Sequence, residues 1–223
     1  MIKNECCIQG MRKMDGGSVD LIVTDPPYLI DYQSAWRTNK FEKIENDIDG
    51  HKLIKEFLKE AYRVLKDDTA IYMFCSWHHV DFFKQEFERH FRLKNILIWN
   101  KNNHGSGDLK GSYAPKYELV LFGHKGRHKL NKRIPDVINC QKVNVNNMSH
   151  PTEKPVNLLE IFISNSSTVG GLVFDPFSGT GSTGVASANL QRKFIGFELN
   201  ENYCEIGNAR INKALQVTQL RLF

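Results

Sequence analysis

No stretch of this 223-residue sequence approaches the ~20 consecutive apolar residues of a membrane-spanning helix, and the N-terminus lacks the apolar core of a secretory leader. Cysteine is sparse and unpatterned. Cys6, Cys7, Cys75, Cys140 and Cys204 make no C-x-x-C pair and are odd in number. A disulfide framework and a thiolate zinc site are therefore not expected; reduced thiols in a cytoplasmic protein are. Internal repeats and low-complexity tracts are also missing, which removes solenoids and disordered arrays. The remaining composition, 41% hydrophobic and 25% charged, suits one α/β domain over 1–223 with room for a small insertion.

Positive charge is present, and it is concentrated. The chain carries +5 overall, yet residues 101–133 alone hold eight Lys/Arg against Asp108 and Glu118. A basic excess confined to one segment reads as a surface for a polyanion. His104, His124 and His128 lie in or near it without metal-ligand spacing, and read as solvated loop histidines.

Apolar and β-branched runs predict strands at 19–24, 70–75, 95–100, 117–122, 171–175 and 194–197, with a very short one in 1–4. A 3.6-residue period predicts helices over 51–66, 79–91 and 201–215, and two turns over 7–14. A further helix has Pro155 in its first turn and Thr152 as its cap, and a small-residue helix follows Gly184. Residues 29–50, polar around Trp36 and Arg37, make a long loop of the kind that carries function. Strands alternating with helices imply a doubly wound, mostly parallel sheet.

Two strand ends carry chemistry. Leu21-Ile22-Val23 runs into Thr24-Asp25-Pro26-Pro27-Tyr28. Two prolines fix an extended turn whose carbonyls cannot join a ladder, so a carboxylate, a carbonyl and a flat ring are presented together. Those parts suit a planar amino group and its ring. The second end is Asp175-Pro176-Phe177-Ser178-Gly179-Thr180-Gly181-Ser182-Thr183-Gly184, between a strand and a helix. Such a turn admits a ligand to the backbone and aims helix N–H groups at anions. Glu198, about 20 residues on at the next strand end, can take both hydroxyls of a ribose, so an adenosine-containing cofactor is the physical reading. The same glycines match the dinucleotide fingerprint, but only one strand follows them and nothing else suggests hydride transfer. A nicotinamide oxidoreductase is the weaker reading.

Taken together, Asp25-Pro26-Pro27-Tyr28 and Asp175-Pro176-Phe177-Ser178-Gly179-Thr180-Gly181 resemble the amino-DNA methyltransferases, which methylate exocyclic amino groups with S-adenosylmethionine. The lead-in 19–24, the segment His150-Pro151-Thr152-Glu153-Lys154-Pro155 and Phe197-Glu198 fall where that family has them. The catalytic motif precedes the cofactor motif, as in the circularly permuted β class. The resemblance implies a Rossmann-like methyltransferase fold with a basic target-recognition insertion at about 101–149. It implies that Asp25 and the Pro26 carbonyl accept the two amino protons, with Pro27 holding the turn and Tyr28 stacking on a flipped base. Phe177, Gly179 and Gly181 would cradle the cofactor, with Asp175, Ser178, Ser182 and Thr183 around it. Glu198 would hold its ribose and Lys154 would approach its carboxylate. Trp36, Arg37, Lys101, Lys110, Lys125, Arg127, Lys129, Lys132 and Arg133 would face double-stranded DNA.

No metal is required. Where the family commonly places an acid for the cofactor adenine, this sequence reads Asn4-Glu5-Cys6-Cys7. Aspartate at the head of the catalytic motif favours adenine N6; cytosine N4 is the alternative, and a catalytically inactive DNA-binding relative a more distant one. Monomer or homodimer, and a restriction endonuclease partner, stay open.

Overall fold

The computed structural model describes residues 1–28, 50–102, 110–142 and 153–220. The expected loop 29–50, with Trp36 and Arg37, falls almost wholly outside these residues, as do His104 and the His150-Pro151-Thr152 segment.

Eight strands form one sheet in the order β1-β8-β7-β2-β3-β5-β4-β6. They are β1 (Ile2–Asn4), β2 (Val19–Thr24), β3 (Leu65–Cys75), β4 (Arg92–Asn100), β5 (Tyr117–Lys125), β6 (Val137–Asn139), β7 (Leu172–Asp175) and β8 (Lys193–Glu198). Every pairing is parallel except those of β5, which runs against both β3 and β4. The doubly wound, mostly parallel sheet read from the sequence is therefore present.

Period-2 alternation sends successive side chains to opposite faces. Ile22, Ile71, Met73 and Cys75 meet α1 (Cys7–Arg12), α2 (Gly50–Val64) and α3 (Val80–Glu88) through Met11, Ile54, Phe57, Phe83 and Phe87. Leu21, Val23, Tyr72 and Phe74 meet α4 (Val156–Ser166) and α5 (Ser182–Asn189) through Leu158, Phe162, Ile163 and Ala186. The last helix, α6 (Glu201–Leu220), closes over β1 through Cys204 and Ile211. Among the described residues no helix is long and apolar enough to cross a membrane.

Several expectations are corrected. β3 starts at Leu65, because its first residues carry exposed Asp67 and Asp68 and show no apolar period. The third helix is shorter than expected, preceded by a 3-10 turn at Trp77–His79 that Ser76 caps by accepting the His78 N–H. β6 was not foreseen: only Ile138 of its three residues is buried, so it leaves no pattern. Pro155 is itself the extended residue that caps α4, with no side-chain cap bond. β5 and β6 both lie within 101–149, so the described part of that stretch contributes two strands to the sheet. His124, on β5, is buried against Phe122 and His128 instead of solvated, and burial pushes its imidazole down to about 4.

The sheet's winding reverses between β7 and β2. From β7 the chain goes by α5 to β8 on one side, and from β2 by α2 to β3 on the other. Crevices open at the carboxyl ends of strands at such a point. Leu21 pairs with Val173 and Ile22 with Phe174, so Thr24-Asp25 and Asp175 emerge side by side. A hydrogen bond of 2.8 Å from the Thr24 hydroxyl to Asp175 Oδ1 ties them. The buried carboxylate also accepts from Thr183 Oγ1 at 2.7 Å and from the Phe177 N–H at 3.1 Å.

Burial pushes the Asp175 carboxyl from 3.8 up to about 6, although the Thr183, Thr24 and Phe177 donors favour its anion. The folded chain thus keeps this proton to about pH 6, the unfolded chain only to about pH 4. This group therefore adds stability as pH falls through that window. In urea unfolding, wild type should gain about 2 kcal/mol relative to Asp175→Asn between about pH 7 and about pH 4.5; parallel pH slopes would contradict it. Thr24→Val removes one donor from the buried anion and should cost about 1–3 kcal/mol at neutral pH in the same measurement.

Candidate active site

Beyond Thr24 the chain leaves the ladder at the Pro26-Pro27 turn, and Asp25 turns into a cluster of charges. Its Oδ1 accepts the Tyr28 hydroxyl at 2.5 Å, and its Oδ2 accepts the Lys154 ammonium. Lys154 Nζ also lies 3.3 Å from Glu118 Oε2. Lys101 Nζ closes on the other oxygen of Glu118 at 2.6 Å, and the Tyr28 hydroxyl is 3.2 Å from Glu118 Oε2. Four separate segments meet here: the turn after β2, the end of β4, the start of β5 and the residue before the cap of α4.

The charges answer one another. Burial raises the Asp25 carboxyl above its ordinary range and Glu118 adds to this, while Lys154 and Tyr28 oppose it. Burial would lower the Lys154 ammonium, but Asp25 and Glu118 more than reverse this and hold the proton on. Burial would likewise raise Glu118, yet Lys154 and Lys101 bring it below its ordinary value. Burial, then the two neighbouring acids, keeps Tyr28 a phenol and hence a donor.

Lys154 is only 7% exposed, which sets aside a solvated lysine at a helix start. Its ammonium sits 5.0 Å from the Phe74 ring centroid and 5.5 Å from that of Tyr28. The resemblance assigns it to the cofactor; the structure places it on Asp25.

The glycine turn is built from inside. Ser178 donates its hydroxyl to the Asp175 carbonyl and its N–H to the Phe197 carbonyl. The Gly181 N–H returns to the Ser178 carbonyl at 2.8 Å. Gly181 has φ +79°, and α6 passes so close at Gly207 that a side chain on either would crowd the facing backbone. Gly179 differs: its φ is +48°, nothing stands within 4 Å of where its Cβ would be, and its N–H donates to Glu198 Oε2 at 2.8 Å. The other Glu198 oxygen accepts the Asn200 N–H at 2.9 Å. Phe177 packs edge-on to Phe57 of α2, 5.2 Å between centroids. Ser182 and Thr183 are buried at the start of α5. Asp175 spends both oxygens on protein donors and braces the turn.

The N-terminal segment does reach this place. The Glu5 N–H bonds the Glu198 carbonyl, and Asn4 Nδ2 bonds the carbonyls of Glu198 and Leu199. The Glu5 carboxylate, however, is paired with Lys13.

The basic segment is divided. Lys101 joins the charge cluster, and exposed Lys110 belongs to the same sheet edge by sequence, after β4 and before β5. β5 then carries the chain roughly 30 Å to the opposite edge of the sheet. There Lys125 donates to the Leu65 carbonyl at 2.6 Å and pairs with Asp67. The Arg127 N–H bonds Asp68, and the Lys132 N–H bonds Asn165 at the far end of α4. Lys125, Arg127, Lys129 and Lys132, expected to face DNA, thus lie across the antiparallel strand β5 from the Asp25 edge. Arg133 follows directly and is exposed.

Sequence reasoning passed over Glu118 and Arg210. Glu118 carried a signal, an acid inside an otherwise apolar strand. Arg210 carried none; it reaches from α6 to the Thr180 carbonyl at 2.7 Å and to Glu153, clamping the glycine turn to the segment before Lys154. Trp77, 54% exposed and stacked on His78 at 3.8 Å, also stands just past the carboxyl end of β3. Among the described residues no three His, Cys, Asp or Glu are grouped to hold a metal ion.

The family model for N6/N4 DNA methylases matches residues 19–209. A protein named as a methylase, YubD of Escherichia coli (strain K12), is 33% identical over 208 residues, covering 92% of this chain and 87% of its own. The DNA adenine methyltransferase YhdJ of the same organism is 29% identical over 244 residues, covering 92% and 80%. Among solved structures, the M1.HpyAVI–SAM complex superimposes with a TM-score of 0.75 at 24% identity, over 95% of this chain and 98% of that one. The cytosine-N4-specific PvuII DNA methyltransferase does so at 0.76 and 17%, over 98% and 90%. The structural likenesses bear on the fold, and the family match spans most of the sequence: the chain belongs to the N6/N4 DNA methylase family.

Proposed function

We propose that this DNA methylase transfers a methyl group from S-adenosylmethionine to the exocyclic N6 amino group of adenine in DNA. One observation carries the reading: Asp25, on a rigid proline turn, emerges beside a glycine turn at the neighbouring strand end, and Thr24 and Asp175 lock the two together. The residues present fit an adenosine-bearing donor. Open space over Gly179 admits it to the backbone, Glu198 adjoins that space with lone pairs for ribose hydroxyls, and α5 begins there with no side-chain cap on its N–H groups.

When bound, S-adenosylmethionine supplies an electron-poor methyl on a sulfonium. The chain's own part is to make a poor nucleophile competent. An aromatic amine shares its lone pair with the ring. Accepting its two N–H groups on the Asp25 carboxylate and the Pro26 carbonyl turns that lone pair out of the ring and along the transfer line. The amino proton becomes acidic only as the N–C bond forms, so Asp25 serves as acceptor first and as proton acceptor late. The base reaches this site by leaving the duplex, with the Tyr28 ring as its stacking surface. Lys101 and Lys110 are the candidate DNA contacts on this edge, and Trp36 and Arg37 are further candidates from the sequence.

Aspartate at the head of the motif favours adenine, and the relative named as a DNA adenine methyltransferase is in keeping. N4-cytosine is the second reading, since a protein named cytosine-N4-specific has the same fold. Relatives named as type II methyltransferases, such as M2.MboI of Moraxella bovis, make a restriction endonuclease partner part of the proposal.

Unmethylated DNA incubated with methyl-labelled S-adenosylmethionine and hydrolysed to nucleosides should yield label in N6-methyladenine. Label in N4-methylcytosine would replace this reading with the second, and no label would end both. Asp25→Ala should lower transfer at least about 100-fold, with cofactor affinity by calorimetry held within about twofold. Glu198→Gln should do the reverse first, weakening cofactor binding about tenfold or more.

A further inference from the structure

Glu118 is a largely buried acid for which the proposed transfer has no use. It comes from β5, the one reversed strand among the described residues, whose start returns to the carboxyl edge of its parallel neighbours. An acid in that position costs desolvation, and it is compensated on both oxygens, by Lys101 at 2.6 Å and by Lys154 at 3.3 Å. Lys154 is shared: its ammonium also binds Asp25 Oδ2.

Sharing changes what Asp25 can do. A buried ammonium given wholly to Asp25 would close a neutral pair, and the carboxylate would be a weak acceptor for a substrate amine. With no ammonium, a buried Asp25 would take up a proton and turn from acceptor into donor. Glu118 sets the balance between these, because it draws on the same ammonium and stands within reach of the Tyr28 hydroxyl that orients Asp25 Oδ1. Lys101 anchors Glu118 from the other side.

We propose that Glu118 is a positioning residue for methyl transfer: it divides the Lys154 charge between two carboxylates and so tunes the acceptor strength and orientation of Asp25. The proposal rests on Asp25 as the amino acceptor. The direction of its influence agrees, since after burial itself Glu118 is the group that raises the Asp25 carboxyl.

The test uses the full-length protein and the pH profile of single-turnover transfer on DNA saturated with S-adenosylmethionine. Activity needs ionised Asp25, so it rises with pH along an acid limb. Glu118→Gln leaves Lys154 to Asp25 alone; kcat should fall about tenfold and the acid limb should move to lower pH, with cofactor affinity unchanged. Lys101→Met, at a partly exposed position that does not threaten folding, strips Glu118 of its other cation and should move the limb to higher pH. Adding Lys154→Gln to Glu118→Gln removes one charge of each sign, so its effect should fall short of the sum of the two singles. An unmoved limb in both Glu118→Gln and Lys101→Met overturns the proposal, as does a loss of kcat without displacement, which would mark a packing role. Asp25→Asn in the same assay separates the two levels: if it retains wild-type transfer, the reading of Asp25 fails; if it is inactive while the limbs stay fixed, only the role of Glu118 fails.

Discussion

A single hydrogen bond, from the Thr24 hydroxyl to the Asp175 carboxylate, joins the two strand ends on which everything chemical depends. Its strength comes from what would follow without it. Asp175 is 3% exposed and collects donors from three directions: the strand beside it, its own turn and the helix that follows. A buried carboxylate short of one donor is costly, so the spacing of β2 and β7, the shape of the glycine turn and the start of α5 are set together. The residue after Thr24 is Asp25. Whatever fixes Thr24 fixes the origin of the Asp25 turn, and two prolines then leave that turn little freedom.

The reversed strand gives this frame its second property. A wholly parallel sheet brings only carboxyl ends to the crevice. β5 brings an amino end there, and with it Glu118, while carrying the residues beyond Lys125 to the opposite edge. One topological feature thus supplies the charge cluster with its second acid and takes several basic side chains away from it. Lys125 is engaged where it lies, with the Leu65 carbonyl and Asp67, so its side chain acts on the fold at that edge.

How much was legible follows from these facts. Asp25-Pro26-Pro27-Tyr28 and the turn from Asp175 to Gly181 could be read because each is contiguous and each residue's chemistry is local. Their adjacency was legible too, since a doubly wound sheet opens at the carboxyl ends of neighbouring strands, whichever order the chain visits them. Glu118 and the pairing of Lys154 with Asp25 were not, because both depend on strand direction and register, which composition does not encode. The division of the basic segment was hidden for the same reason: charge counted along a chain does not register that nine residues of β5 span the sheet. His124 was misread because it sits among lysines in sequence and among rings in space. β6 left no trace, since an edge strand of three residues with one buried side chain has no period to detect.

Under the proposed chemistry, the charge cluster meets a conflict built into amine methylation in a dry site. Excluding water strengthens the hydrogen bonds that redirect the amine's lone pair, but it also drives the accepting carboxyl toward its neutral form. A lone aspartate at the end of a buried strand would lose its charge in the environment that makes the charge useful. Lys154 opposes this and brings a second conflict, because a dedicated counter-ion occupies the acceptor it protects. A second acid sharing that counter-ion resolves both, and it must come from outside the catalytic turn so that its own position does not move with the substrate. Glu118 meets that condition: it is fixed in the ladder of β5 between β3 and β4 and anchored by Lys101. The separation of duties is physical. The flexible partners, two lysines, carry the shared charge, and the two acids that compete for it are held by strand ends that cannot approach one another.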